Sequence, residues 1–394
     1  MCRKRKMFTV LMSSALSLFF VFSAMSLVFD TPAMAKEPYK IGAIFSVTGR
    51  ASFLGEPEKR TAEMIAEEIN AQGGIDGHPL ELIVYDDEGD ATKCNIAMKK
   101  LVSHDNVPVV IGPSTSGTSL AIVKVAERSE IPMISCAASK KIVLPIEERY
   151  WVFKVAGSDI HVSQRIYDHM KSKGITKIGI MTGTTGFGAS GREELLAFAS
   201  DYGIEIVADE RYGPKDTDLT AQLTKIKGTK AQAIVNWSIG PTQILAVKNW
   251  RALGMDNLPL YQSHGFGSRK NIELCGKDAE GVLCPLARVN IGPLLPEDHV
   301  QKPVIMEYTR AYEQKYGESI SSFGGHAWDA LHIAMKALEA VGPDRAKIRD
   351  FIEGLTGFVG QHGVFNFSAK DHNGLSKDDL AMVVVKNGDW ALAK

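Results

Sequence analysis

Gly186-Phe187-Gly188-Ala189-Ser190-Gly191 has the G-x-G-x-x-G spacing. Such a loop cradles a pyrophosphate on backbone amides when it follows a strand, opens a helix and is answered by an acid further on. Lys177–Met181 reads as the strand, and Asp209 stands 18 residues after Gly191. The motif falls in the second series of strands and helices, not in the first unit of the chain. Glycines in a tight strand-to-helix turn also explain it without a phosphate. Other catalytic constellations are weak. No G-x-S-x-G elbow, Walker A loop or H-E-x-x-H occurs, and no Cys/His cluster has zinc spacing. Glu147-Glu148 and Asp378-Asp379 are sequence neighbours, which rarely face one site. His326 and His332 are six apart, off a common helix face. No catalytic residue, cofactor or metal is expected.

A different chemistry is written at the strand ends. Gly112-Pro113-Ser114-Thr115-Ser116-Gly117-Thr118-Ser119 is a hydroxyl-rich loop opening a helix, and Cys136-Ala137-Ala138-Ser139 is again small and hydroxylic. Helix N-termini present unpaired N–H groups and partial positive charge, which suits a carboxylate. Aromatic residues mark other strand ends: Phe53 in the first loop, then Phe187, Trp237-Ser238-Ile239 and Ser263-His264-Gly265-Phe266. Any one loop could be an ordinary Ser/Thr cap. Together they predict a carboxylate seat in one lobe and an apolar lid in the other, with His264 at a strand's carboxyl end where ligands of parallel sheets bind.

Those loops need a scaffold, and the periodicity supplies one. Tyr39–Ser46, Leu80–Tyr85, Val107–Ile111 and Pro132–Ser135 read as strands. The helices between them include Glu56–Gln72, with Ala62, Ile65, Ala66 and Ile69 on one face. The rhythm resumes with strands at Lys177–Met181, Glu205–Ala208, Ala231–Asn236 and Pro259–Gln262. Helices over Lys302–Tyr316, Gly325–Ala340 and Asp344–Glu353 follow, then strands at Gly363–Phe367 and Leu380–Lys386. The fold class is α/β: two similar doubly wound parallel-sheet lobes joined by several short crossings.

Arg3–Lys6 is basic, Met7–Val28 is largely apolar, and Ala33-Met34-Ala35 is a small-x-small cleavage pattern. This is a secretory signal peptide over 1–35, removed near Ala35/Lys36, which places the mature chain in the periplasm. A retained anchor is the alternative. Basic and acidic residues balance, 45 to 46, so there is no electrostatic footprint for nucleic acid. Cys275 and Cys284 could bridge in an oxidising compartment or remain buried thiols.

Tyr39-Lys40-Ile41-Gly42, Ile69–Gly77, Tyr85-Asp86-Asp87, Val110-Ile111-Gly112-Pro113 and Ala279-Glu280-Gly281-Val282 give the chain a family resemblance. It resembles the periplasmic leucine/isoleucine/valine-binding proteins of branched-chain amino-acid ABC transporters across the mature region. The resemblance implies a type I Venus-flytrap fold with three crossovers, lobe 1 spanning 36–156 plus 288–378 and lobe 2 spanning 157–287 plus 379–394. It further implies a monomer that performs no chemistry and delivers its ligand to an inner-membrane permease. The family's carboxylate and backbone contacts match Ser116, Ala137 and Ser139, and its first-loop aromatic matches Phe53. Its lid tyrosine falls on Phe187, and another lid position falls near Ile239, beside Trp237. Its acidic partner for the ligand ammonium falls on His264. The positions of its first-lobe disulfide fall on Gly89 and Thr115.

An ammonium facing a neutral His264 would be a buried charge without its partner, at a cost of about 3–5 kcal/mol, roughly two to four powers of ten in affinity. Two ligand classes are therefore carried forward: a branched-chain amino acid, and an aromatic carboxylate without an ammonium. A periplasmic sensor of the same fold is the alternative to a transport role.

Overall fold

Alternating side chains along β1 (Tyr39–Phe45) fix both faces of the first sheet. Ile41, Ala43 and Phe45 point into a core with Ala62 and Ile65 of α1 (Ser52–Ala71). Ile44 points oppositely, towards Met98 and Leu101 of α2 (Ala91–Ser103) and Ile122 of α3 (Ser116–Arg128). This computed structural model describes residues 36–393; the export segment read at 1–35 lies outside the described residues. Among the described residues, no helix is long and apolar enough to cross a membrane.

With β2 (Leu80–Asp86), β3 (Val110–Ile111), β4 (Met133–Ser135) and β5 (Val152–Lys154), the first sheet is wholly parallel in the order β2-β1-β3-β4-β5. The chain then enters α4 (Asp159–Ser172) and builds the second lobe. Its elements are β6 (Lys177–Gly183), α5 (Gly186–Phe198), β7 (Glu205–Tyr212), α6 (Thr220–Lys227), β8 (Ala233–Trp237), α7 (Pro241–Ala252), β9 (Leu260–Gln262), α8 (Arg269–Cys275) and β10 (Leu283–Ala287). Its parallel strands run β10-β9-β8-β6-β7, the same winding as the first sheet.

After β10 the chain passes through α9 (Lys302–Tyr316) to α10 (Ser322–Val341). Ala327, Leu331, Ala334 and Leu338 of α10 return to the first core. There α11 (Arg345–Gly354) and the hairpin β11 (Thr356–Val359) and β12 (Val364–Asn366) complete the cover. The third passage adds β13 (Leu380–Lys386) antiparallel to β10 and β14 (Asp389–Leu392) antiparallel to β13, so that β14 forms that edge of the second sheet. The expected fold class therefore holds.

The differences have local causes. Gly363–Phe367 was expected among the closing strands, but β12 pairs only with β11. Val152–Lys154 escapes a hydrophobicity reading because it ends in a lysine. Lys154 is fully buried, and its Nζ donates to the carbonyls of Ala138 (3.0 Å) and Ala156 (2.8 Å). Leu283–Ala287 is disguised by Pro285, yet it lies between β9 and β13. The alternative of a Cys275–Cys284 bridge is not realised, since both thiols are free and buried. Cys284 donates to the Ser263 carbonyl at 3.3 Å, while Cys275 ends α8.

Candidate functional site

Parallel strands end together, so the loops leaving them converge. A cavity between the lobes is lined from the first lobe by Leu54, the Ser114–Ser116 loop after β3 and Cys136–Ala138 after β4. From the second lobe come Phe187, Ile239, His264 and Gly265, after β6, β8 and β9. Ala156, Phe323 and His326 complete the wall.

Helix α3 aims its first turn at this cavity. The Thr115 side chain caps it, accepting from the Thr118 amide at 3.1 Å. The Ser116 and Gly117 amides make no hydrogen bond to a described residue. Across the cleft, Thr185 caps α5 by accepting from the Gly188 amide at 3.3 Å. A Cβ on Gly186 would lie 3.2 Å from the Gly117 nitrogen, so the two helix starts are nearly in contact. Each carries about half a positive charge. Two such ends facing one another are stabilised by an anion placed beside them.

Ser116 Oγ accepts from the Ser139 amide at 3.3 Å, leaving its own proton uncommitted. Ser114 differs: its Oγ accepts from the Ser46 amide at 2.9 Å and donates to Glu58 Oε2. Ser114 therefore offers the cavity an acceptor, and Ser116 a donor.

The five residues Ser116, Ala137, Phe187, Ile239 and His264, each singled out by sequence, share this one cavity. The other three stand beside it. Ser139 is fully buried, and its Oγ meets Ser190 Oγ of α5 at 2.8 Å. Trp237 is fully buried beneath the lid, with ring centroids 5.9 Å from Phe187 and 6.0 Å from His264. Phe53 packs edge-on to Phe323 at 5.9 Å and lines an outer groove of about 930 Å³. Phe323 borders both spaces. Ala137 offers no free amide, since Ser135 Oγ accepts it at 3.1 Å.

Two lining imidazoles differ from what surrounds them. His264 stands edge-on to Phe187 at 5.3 Å, with Nδ1 enclosed and unpartnered. Burial, with Lys154 and His362 nearby, pulls its pKa down to about 3, so the ring is neutral. His326 was missed because its helical spacing from His332 suggested nothing. His332 turns away, stacking on Trp328 at 3.6 Å, whereas His326 reaches the cavity. Burial, then the neighbouring His362 and His264, hold its pKa well below the usual range.

Among the described residues, no carboxylate side chain lines the cavity. Two fully buried acids stand behind the wall: Glu58, with Oε1 unpartnered, and Asp159, beside Ser190 and Lys154. Burial raises the Glu58 pKa well above the ordinary value, against the Ser114 hydrogen bond.

The lobes also meet around the cavity. Lys140, in the turn after β4, pairs with Glu194 of α5 at 2.6 Å, and Lys141 pairs with Glu193 at 2.6 Å. The glycine motif of α5 is explained by packing. A Cβ on Gly188 would lie 2.0 Å from the Gly183 carbonyl oxygen, and one on Gly191 would lie 2.0 Å from the Trp237 ring. Asp209 is held by Arg192, whose Nε donates at 2.9 Å. The spacing is thus a helix seated on a strand end and an indole.

A profile of periplasmic binding proteins matches residues 38–389, nearly the whole described chain. The chain belongs to the periplasmic binding protein family. This family member is 24% identical over 342 residues to the leucine-, isoleucine-, valine-, threonine- and alanine-binding protein of Pseudomonas aeruginosa, covering 85% of this chain and 88% of that relative. It is 25% identical to Leu/Ile/Val-binding protein homolog 8 of Brucella abortus, covering 90% and 92%. Among solved structures, an extracellular ligand-binding receptor of Rhodopseudomonas palustris HaA2 superposes with TM-score 0.85 at 28% identity, covering 91% of this chain and all of that one. The branched-chain amino acid transporter substrate-binding protein LivJ of Streptococcus pneumoniae, in complex with isoleucine, gives 0.80 at 26%, covering 91% and 99%. The resemblance read from Tyr39–Gly42, Ile69–Gly77, Tyr85–Asp87, Val110–Pro113 and Ala279–Val282 is thereby upheld.

Proposed function

We propose that this binding protein is the extracytoplasmic capture component of an ABC importer, and that it closes on a small carboxylate with an apolar, aromatic-sized body and no ammonium group. The ligand passes to an inner-membrane permease without chemical change, and the protein works as a monomer. The jaws are 36–156 with 288–378, and 157–287 with 379–394. Its carboxylate lies against the Ser116 hydroxyl and the free first-turn amides of α3 and α5. Phe187, Ile239, Leu54 and Phe323 enclose the body, with Phe53, Ser139 and Trp237 supporting the closed wall.

One observation carries this reading: the cavity lining contains two neutral imidazoles and no carboxylate. An ammonium there would be a buried charge without a counter-charge. A branched-chain amino acid is the second reading. It is favoured by the names of the relatives and by Glu58, which could ionise behind Ser114 if an ammonium reached it. Calorimetric titration of the purified protein with leucine, isoleucine, valine and phenylalanine against benzoate and its ring-substituted relatives separates the two. The carboxylate reading expects the acids to bind and the amino acids to bind at least a hundredfold more weakly. Tight leucine binding with no response to the acids would falsify it.

A further inference from the structure

We propose that His264 and His326 form a two-imidazole clamp that reads a neutral hydroxyl on the ligand body, making hydroxyl-bearing aromatic carboxylates the preferred ligand class. This rests on the carboxylate reading above and adds a second polar recognition point to it.

The polar lining divides in two. The hydroxyls and amides of 114–116 belong to the starts of helices, where an anion is favoured. The other lining side chains that carry nitrogen or oxygen are the two imidazoles. His264 follows β9 in a single 3-10 turn, and its Nδ1 has no partner. His326 lies in the second turn of α10 and makes no hydrogen bond to a described residue, though it is only 6% exposed. It is nonetheless fixed. Its ring stacks on His362 with centroids 3.9 Å apart and planes at 25°. His362 in turn is clamped to Asp329, Nδ1 to Oδ2, at 2.7 Å. A face-on stack leaves the ring edge, which carries both nitrogens, for polar contacts.

A neutral imidazole presents one donor and one acceptor. A hydroxyl presents one donor and two lone pairs, so it can satisfy a nitrogen from each ring at once. A carboxylate has no proton for the accepting nitrogen, and an ammonium has no lone pair for the donating one. A methyl or hydrogen in that place would leave buried polar atoms unpaired, a penalty larger than the gain from the bond itself.

The test is calorimetric titration of the purified protein with benzoate, 3-hydroxybenzoate, 4-hydroxybenzoate and their methyl isosteres, repeated on His326→Phe and His326→Asn. At least one hydroxy acid should bind about tenfold to a hundredfold more tightly than benzoate and than its methyl isostere. His326→Phe should erase that ratio, each hydroxy acid then binding the variant no more tightly than benzoate and the methyl isostere bind it. Should the phenylalanine variant fail to fold in a thermal melt, the wild-type ratio and the asparagine variant still decide. Equal affinities for hydroxylated and unsubstituted acids overturn the hydroxyl clamp and leave the carboxylate reading standing. Uniform weakening of every acid in His326→Phe also overturns it, since the imidazole would then hold the carboxylate. Binding of no acid at all overturns both.

Discussion

Replacing Ser116 with alanine separates the anion seat from the rest of the closed cleft. Ser116 is 3% exposed, opens α3, and has a hydroxyl proton that no described acceptor takes. In the proposed carboxylate complex that proton would go to a carboxylate oxygen, a hydrogen bond to a charged group worth about 1.5–3 kcal/mol. At about 1.4 kcal/mol per decade, its loss raises Kd roughly ten- to a hundredfold. A second consequence acts on the fold alone. Ser116 Oγ also accepts from the Ser139 amide at 3.3 Å, and Ser139 is fully buried. Alanine leaves that amide without its acceptor, for about 1–3 kcal/mol of stability. The two effects are measured apart, since calorimetric Kd refers to folded protein and a urea titration without ligand reports the fold. Ser116→Thr keeps the hydroxyl and should recover most of the affinity. A Kd for Ser116→Ala within twofold of wild type, with benzoate-type acids as ligand, would show that the anion sits elsewhere.

Two further variants test the scaffold around that seat. Gly191→Ala places a Cβ where the Trp237 ring lies, 2.0 Å away, so the indole must move. We expect a loss of about 1–3 kcal/mol in urea unfolding and quenched or shifted tryptophan emission; unchanged stability would mean α5 does not rest on the indole. Glu58→Gln tests the buried acid. Burial raises the Glu58 pKa, so above the ordinary value of 4.5 the unfolded chain releases a proton that the folded chain keeps. Stability therefore falls as pH rises above 4.5, by about 1.4 kcal/mol per pH unit, until the folded pKa is passed. Glutamine lacks this term, so Glu58→Gln should match wild type near pH 4.5 and exceed it at pH 7.5. Identical midpoints at both pH values would indicate an ionised Glu58 in the folded state.

Sequence periodicity was sufficient wherever one face of an element meets one environment. The α1 helix was legible from Ala62, Ile65, Ala66 and Ile69, and nine of the twelve strands of the two sheets from their short apolar runs, with β5, β10 and the short terminal β14 missed. Strand β5 was not legible, because Lys154 is kept inside by two carbonyls that lie elsewhere in the chain. Nor was β10, whose proline argues against a strand until the antiparallel β13 pairs with it. At the site, the hydroxyl loop 112–119 was visible because helix starts have a composition of their own. His326 was hidden among the apolar residues of α10.

The amino-acid order by itself determined the two-lobed α/β architecture, the strand ends where a ligand would lie, and the small hydroxylic character of the seat. These follow from local periodicity and capping, which act over a few residues. Only the tertiary structure decided that the α5 glycines serve close packing, that the Cys275 and Cys284 thiols stay apart, and that Glu58 sits behind the wall instead of in it. It also brought His264 and His326 to one cavity from positions 62 residues apart. Burial and encounter between distant segments set those outcomes, and neither is encoded in the spacing of neighbours.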